Sequence, residues 1–163
     1  MTVHIRPVEP DDVAVVVELV HELAAYEKEP QSCHLTVDQL TTALFGEQPA
    51  LFGHVALSEG GIVGFALWFR NFSTWNGVHG IYLEDLYVRP AERGSGAGRA
   101  LLETLAEVCV QRGYARLEWW VLDWNSPAHG FYRRLGAEPM YDWTVWRLTG
   151  DALDRLGSSP PRP

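Results

Sequence analysis

Apolar residues recur along the chain with two different periods, which predict alternating helices and strands. From Asp12 to about Glu27 they return every three to four positions, which predicts an amphipathic helix. A second such stripe follows a glycine-rich turn and ends near Arg112, with Gly113 as its C-cap. Shorter apolar runs bounded by Gly, Pro and Asn predict strands. The predicted strands are Val3 to Arg6, His54 to Leu57, Ile62 to Arg70, Val78 to Val88, Leu117 to Leu122 and Thr144 to Thr149.

Short helices complete the predicted order of elements. Thr36 and Gln39 have the spacing of a capping box, which predicts a second helix after the first. Asn125 or Ser126 can cap a short helix, and residues 151–156 predict a terminal helical turn. The order is therefore strand, helix, helix, three strands, helix, strand, helix, strand. A hairpin ahead of a strand–helix–strand unit predicts an α/β fold with a mixed sheet and helices on both faces.

Length and composition predict one domain with a sizeable core. The chain has 163 residues, of which 47% are hydrophobic and 21% charged. We expect the domain to span residues 1–156, and the Ser- and Pro-rich residues 157–163 to form a disordered tail. The start of the chain lacks the apolar segment of a secretion signal, and the longest apolar run, Val13 to Val17, is too short for a membrane. A cytoplasmic location with no membrane partner is therefore predicted.

The net charge and the cysteine content limit which ligands and cofactors we expect the protein to bind. The net charge of −8 argues against non-specific nucleic-acid binding and is compatible with cationic substrates. Cys33 and Cys109 are too few for a disulfide framework, and no Cys and His residues cluster at metal-ligand spacing. The sequence thus predicts a protein without a metal cofactor.

The most specific motif lies between the longest predicted strand and the helix after it. Gly94, Gly96 and Gly98 leave main-chain N–H groups uncovered at a helix N-terminus, which suits a phosphate group. A P-loop requires Lys followed by Ser or Thr, and the dinucleotide fingerprint requires glycine where Arg99 stands, so neither motif fits. The pattern that fits is Arg-x-x-Gly-x-Gly, present as Arg93–Gly98.

This loop resembles the pyrophosphate loop of the GNAT superfamily of N-acetyltransferases, and the resemblance covers nearly the whole chain. It is closest to the diamine acetyltransferases of the spermidine/spermine type. The resemblance implies a mostly antiparallel, V-splayed mixed sheet, acetyl-CoA as cosubstrate in the cleft between the fourth and fifth strands, and a homodimer. The segments that carry it are Glu22–Glu27, Tyr82–Asp85, Arg93–Gly98 and Trp124–Pro127, followed by Phe131 and Tyr132.

The same resemblance implies which residues contact acetyl-CoA. Main-chain groups at the end of the central strand would face the thioester oxygen, the glycine loop would bind the pyrophosphate, and the start of the short helix would line the pantetheine. The implied cofactor-binding residues are Leu86, Tyr87, Val88, Arg93, Gly94, Ser95, Gly96, Ala97, Gly98, Arg99, Asn125, Pro127 and Tyr132.

Acetyl transfer to an amine also requires a proton donor for the leaving thiolate. A phenol placed beside the thioester can donate that proton in the transition state. Tyr132 matches the tyrosine that serves as general acid in the family. Without the resemblance, the sequence favours an ordinary aromatic pair at Phe131 and Tyr132 that packs a helix against a sheet.

The attacking amine must lose its proton, which points to a carboxylate on the central strand. Glu84 lies among aromatic and aliphatic residues, where an unpaired carboxylate is costly. It could take the amine proton through water or hold a cationic substrate, and a salt bridge to a neighbouring strand is the alternative. Strict alternation places Glu84 with Tyr82 and Leu86 on one face and Asp85 with Tyr87 on the other.

Substrate contacts are implied at the end of the first helix. Tyr26 and Glu27 match substrate-contacting positions of the diamine enzymes, and Glu84 could join them. Tryptophans around Trp119–Trp124 could form an aromatic rim for an alkylammonium, or could be core residues. The predicted activity is acetyl transfer to a primary amine of a polyamine, a diamine or a lysine-like amino acid. A protein N-terminus or an aminoglycoside as acceptor, and a non-catalytic CoA-binding regulatory module, are the alternatives.

Overall fold

The computed structural model describes residues 3–158. The strands are β1 (His4–Pro7), β2 (Phe52–Ser58), β3 (Gly61–Ser73), β4 (Val78–Val88) and β5 (Leu117–Glu118). The helices are α1 (Val13–Tyr26), α2 (Val37–Phe45), α3 (Ala97–Arg112), α4 (Ser126–Arg134) and α5 (Gly150–Gly157). The chain divides into two compact units, one ending at Trp120 and one starting at Val121. A single domain over residues 1–156 stays a prediction.

The strands of the first unit form one mixed sheet in the order β1-β2-β3-β4-β5. Neighbouring strands from β1 to β4 are antiparallel, and β5 is parallel to β4. The α/β class and the mostly antiparallel mixed sheet are thereby confirmed. The prediction for β5 was too long, because only Leu117 and Glu118 pair with β4, at Ile81 and Tyr82. The pairing with β5 ends at Tyr82, whereas β4 continues to Val88.

Helices cover both faces of this sheet. On one face α1 and α2 pack onto Val55, Phe65 and Leu67, which belong to a single buried cluster. The other face carries Ile81 and Leu83, which are also buried, and α3 contacts β2, β3 and β4. The hydrophobic effect therefore fixes the helices through two separate apolar layers.

Local signals in the sequence set the helix boundaries as predicted. Thr36 and Gln39 exchange the two hydrogen bonds of a capping box at the start of α2. Asn125 caps α4, because its side chain accepts a hydrogen bond from the Ala128 N–H at 3.4 Å. Gly113 ends α3 with φ of 66°, a conformation that favours glycine.

The second unit contains α4 and α5, and none of its described residues is buried. The predicted terminal turn is confirmed as α5, whose last residue is Gly157; residues 159–163 of the predicted tail lie outside the described residues. The predicted strand Thr144 to Thr149 is wrong, since residues 137–149 contain no strand. A strand is stable only when its backbone pairs with a neighbour, and alternation alone does not supply that partner.

Candidate active site

The glycine loop has the geometry of an anion-binding helix start. Gly94 and Gly96 have φ of 85° and 94°, and no atom lies within 4 Å of where a β-carbon would stand on either. The Ala100 N–H donates to the Gly96 carbonyl at 2.9 Å, so the N–H groups of Gly98 and Arg99 precede this helical hydrogen bond. The loop is therefore open to a ligand and suited to the diphosphate of a coenzyme.

The two arginines among the predicted cofactor-binding residues, Arg93 and Arg99, have protein partners. Arg93 donates from Nε to the Val88 carbonyl at 3.2 Å, and its guanidinium lies 4.6 Å from the centre of the Tyr26 ring. Arg99 is exposed and donates to Glu103 at 2.7 Å, one helical turn along α3. Arg93 thus links the loop to the end of α1 and to β4, and Arg99 is bound to its own helix.

A β-bulge interrupts β4 at the predicted catalytic carboxylate. Asp85 pairs with Leu67 of β3, whereas Leu83 pairs with the next residue, Trp68, so Glu84 is the extra residue. Glu84 is consequently exposed rather than enclosed by apolar side chains. The rationale that burial makes Glu84 costly is wrong, because the bulge turns it out of the ladder.

The bulge also changes which side chains share a face. Directly paired residues of antiparallel strands lie on the same face. Tyr82, Asp85 and Tyr87 pair with Phe69, Leu67 and Phe65, which alternate along β3. These three β4 side chains therefore share the face covered by α1 and α2. The predicted separation of Tyr82 from Asp85 by alternation is wrong, because one inserted residue reverses the alternation.

Among the described side chains of this face, Asp85 has the most strongly shifted pKa. Its side chain is half-buried, and this burial, reinforced by the nearby Glu84 and Glu27 carboxylates, raises the pKa of Asp85 to about 7. Burial likewise raises the pKa of Glu27, which follows the last residue of α1. The structure thus brings Glu27 into the electrostatic surroundings of β4, where Tyr26 also lies through its contact with Arg93.

Sequence reasoning missed an aromatic row on the same face. The rings of Phe69 and Tyr82 lie 4.9 Å apart, and the Tyr82 ring meets Trp120 edge-on at 5.6 Å. Trp120 is 59% exposed, whereas Trp68 is buried in the sheet, so the tryptophans are not uniformly core residues. The row depends on the register of β3 against β4, for which the sequence offers no local signal.

In the second unit, α4 carries the other predicted site residues. Asn125 is its N-cap and Pro127 lies in its first turn. Tyr132 is half-buried, with its ring 5.2 Å from that of Phe131. Their predicted contacts with acetyl-CoA, and the role of Tyr132 as general acid, stay predictions.

Two features of residues 3–158 concern membrane insertion and metal binding. None of the helices there combines the length and hydropathy that a membrane crossing demands. In the same residues, no three His, Cys, Asp or Glu side chains are grouped so that they could hold a metal ion. That the reaction needs no metal remains a prediction.

Comparison with known proteins places this geometry in a family. The model of the Acetyltransferase (GNAT) family matches residues 17–137. The chain is 36% identical to the thialysine N-epsilon-acetyltransferase of Bos taurus over 165 residues, covering 94% of this chain and 96% of that protein. It is 40% identical over 95 residues to the L-ornithine N5-acetyltransferase of Arabidopsis thaliana, which covers 58% of this chain and 42% of that protein.

Among solved structures, an integron cassette protein from the mobile metagenome of V. cholerae superposes with a TM-score of 0.81. It is 26% identical to this chain and covers 98% of it, with 99% of that chain matched. An aminoglycoside acetyltransferase from a soil metagenome has a TM-score of 0.75 at 19% identity, covering 90% of this chain and 97% of its own. At that identity the second likeness concerns the fold alone.

Proposed function

The chain belongs to the GNAT family of acetyltransferases and is an N-acetyltransferase, and we propose that it transfers acetyl from acetyl-CoA to a primary amine of a small cationic substrate. The acceptor class is a polyamine, a diamine or a lysine-like amino acid. The observation that carries this choice is the group of carboxyls Glu27, Glu84 and Asp85 next to the strand that leads into the glycine loop. Relatives named for thialysine and ornithine support it.

The glycine loop and the end of β4 would bind the cosubstrate. Acetyl-CoA supplies the activated acetyl thioester. Main-chain N–H groups from Gly94 to Arg99 would hold its diphosphate, because a helix start favours an anion. A main-chain N–H among Leu86, Tyr87 and Val88 would stabilise the negative charge that develops on the carbonyl oxygen. Asn125 and Pro127 at the start of α4 would line the pantetheine path.

Three side-chain roles complete the proposed reaction. Glu84 would remove the ammonium proton or anchor the cationic substrate, so that a neutral amine nitrogen attacks the carbonyl carbon. Tyr132 would give a proton to the departing thiolate sulfur. Tyr26 and Glu27 at the end of α1 would contact the remainder of the acceptor, where a carboxylate can pair with a second ammonium.

The other acceptors weighed above have weaker support. The aminoglycoside enzymes share the fold at under 25% identity, which does not extend to their substrate. A non-catalytic CoA-binding module does not accord with a family and relatives that are named as acetyltransferases.

A homodimer and a cytoplasmic location belong to the same proposal. Exposed apolar side chains of the second unit support the dimer, since large exposed apolar patches commonly mark interfaces. They include Met140, Tyr141, Trp143, Val145, Trp146 and Leu148. Light scattering at micromolar concentration should give twice the 18.3 kDa chain mass; a single-chain mass would reject the dimer.

The test of the activity is release of CoA thiol from acetyl-CoA with a panel of amines. The panel contains lysine, thialysine, ornithine, putrescine, spermidine, an aminoglycoside and a peptide with a free N-terminus. We expect kcat/KM to be highest for one of the small cationic amines, by at least ~10-fold over the peptide and the aminoglycoside. Turnover of the peptide alone would overturn the proposed acceptor class, and no turnover with any amine would overturn the function.

A further inference from the structure

Glu84 and Asp85 are adjacent in sequence, but the bulge gives them different surroundings. Glu84 is the extra residue of β4 and is exposed to water. Asp85 returns to the ladder opposite Leu67, which in turn pairs with Gly53 of β2. A β-carbon at Gly53 would lie 2.7 Å from Val8, so this row of the sheet is tightly packed. One flank of Asp85 is therefore apolar and closed.

Asp85 also lies on the part of β4 that extends beyond its pairing with β5. The pairing of β5 with β4 ends at Tyr82, three residues before Asp85. Three residues further on from Asp85, β4 ends at Val88 and the chain turns toward the glycine loop. Asp85 thus lies midway along the segment of β4 that pairs with β3 on one edge and has no β5 partner on the other. The main chain of this segment is proposed to contact the thioester.

The charged groups around Asp85 favour a proton on this carboxyl. Glu84 and Glu27 both oppose its ionisation. Arg89 is paired with Glu22 at 3.0 Å, and Arg93 is held by the Val88 carbonyl. The titratable and charged groups that the neighbouring elements contribute are Glu22, Tyr26, Glu27 and Lys28 at the end of α1, Glu84, Tyr87 and Arg89 on and after β4, and Arg93 in the loop. On this face β3 contributes the apolar Phe65 and Leu67.

We propose that Asp85 is the group that accepts the ammonium proton of the acceptor, and that Glu84 binds the cationic acceptor instead. This inference rests on the proposed function and assigns its base. The Asp85 carboxylate takes one proton from the ammonium and becomes a neutral acid, while the N–H electron pair stays on nitrogen. That nitrogen forms the new bond to the acetyl carbon, the carbon–sulfur bond breaks, and the sulfur takes a proton from Tyr132. The nitrogen then loses its second proton, which restores the Tyr132 hydroxyl through water, and the proton on Asp85 passes to water.

A half-buried carboxyl suits this role better than an exposed one. A general base works best when its pKa is close to the working pH, and burial with two carboxylate neighbours brings Asp85 there. The exposed carboxylate of Glu84 is placed instead to attract a cation from solvent. Asp85 would thus deprotonate the ammonium group, and Glu84 would attract the cationic acceptor.

The experiment compares pH–rate profiles of the wild type, Asp85→Asn, Glu84→Gln and Asp38→Asn, with the best amine of the panel as substrate. Asp38 is an exposed aspartate on α2 and serves as the matched control. At pH 7 we expect Asp85→Asn to lower kcat by ~10²-fold with little change in the amine KM. Glu84→Gln should instead raise KM by ~10-fold and retain most of kcat.

Raising the pH distinguishes a base from a structural residue. An alkylamine with a pKa of ~10.4 loses its proton unaided near pH 10, so the deficit of Asp85→Asn should shrink to under ~5-fold there. CoA affinity measured by calorimetry should be equal in all four proteins.

Three outcomes would overturn the assignment. They are a deficit of Asp85→Asn that persists at pH 10, a wild-type profile retained by Asp85→Asn, and a loss of the acidic limb in Glu84→Gln alone. In each of these three outcomes the wild type still turns over an amine, so the proposed function would remain supported while the assignment to Asp85 fails. Absence of wild-type turnover with every amine would end the function and this assignment together.

Discussion

Residues 3–120 and residues 121–158 differ in how far their apolar side chains are buried. The first region encloses a sheet between helices, and residues such as Leu101 and Phe65 are fully buried. The second region is also rich in apolar residues, yet none of its described residues is buried, and Trp146 is 91% exposed. Stability should therefore reside in the first region, and substitutions in the second should act on catalysis or association. The predictions below probe this contrast.

A core substitution in the first region should have the largest effect on stability. Leu101 is fully buried on α3, so Leu101→Ala removes apolar contacts and leaves a cavity, which should lower the free energy of unfolding by about 3 kcal/mol. Val110→Ala is the control on the same helix, because Val110 is 82% exposed and should change it by less than about 0.5 kcal/mol. Urea denaturation measures both, and equal losses would contradict the contrast.

A substitution in the second region should instead affect turnover. Tyr132→Phe removes the proposed acid and should lower kcat by ~10²-fold or more, about 2.7 kcal/mol of activation free energy, with CoA affinity and the unfolding midpoint unchanged. Tyr141→Phe is the control, since Tyr141 is 79% exposed and its hydroxyl meets Arg133 at 3.1 Å. If Tyr132→Phe keeps full turnover, Tyr132 is not the acid.

The buried ion pair near the start of α1 should give the next largest stability effect. Asp12 is 7% exposed and accepts from Arg6 at 2.9 Å, and this hydrogen bond lowers the pKa of Asp12. Asp12→Ala should cost about 2 kcal/mol at pH 7, because the half-buried Arg6 cation loses its two hydrogen bonds to this carboxylate and keeps the longer contact with Glu9 at 3.8 Å and the hydrogen bond to the Pro7 carbonyl.

The pH dependence of this loss follows from the lowered pKa of Asp12. The stabilisation is present above the ordinary aspartate range near pH ~4 and is lost as the pH falls through the lower folded-state pKa. Thermal melts at pH 7 and pH 2 should show the difference between wild type and variant shrinking at the lower pH. Exposed Asp11 supplies the control, and a similar loss in Asp11→Ala would argue against the pair.

The smallest predicted effect is a gain in folding stability, in Asp85→Asn. Because the pKa of Asp85 is raised in the folded state, folding becomes less favourable as the pH rises from ~4 to about 7, where this carboxyl must ionise inside the protein. Asp85→Asn removes that cost and should stabilise the protein at pH 8 by about 1 kcal/mol, with no gain at pH 4. Denaturation at the two pH values measures it, and a loss of stability at pH 8 would mean that Asp85 makes structural hydrogen bonds.

Hydrogen bonds between residues close in sequence explain which parts of the fold and the site could be predicted. The glycine loop, the capping box at Thr36 and the cap at Asn125 were predicted because each depends on hydrogen bonds within a few residues. The surroundings of Glu84 and the face of Asp85 were predicted wrongly, because the face of a strand residue follows from its register with β3. The roles of both carboxyls stay predictions. Nothing near Glu84 in the sequence signals the bulge.

The sequence by itself determined the helices, the loop that suits a diphosphate and the α/β class, since side-chain periodicity and main-chain hydrogen bonding act over short distances. Only the tertiary structure decided that β5 ends at Glu118, that residues 144–149 form no strand and that Asp85 shares a face with Tyr82. Each of these outcomes depends on pairing between distant segments. The free energy of such pairing depends on the side chains and the register of both strands, so the sequence of one strand does not predict it.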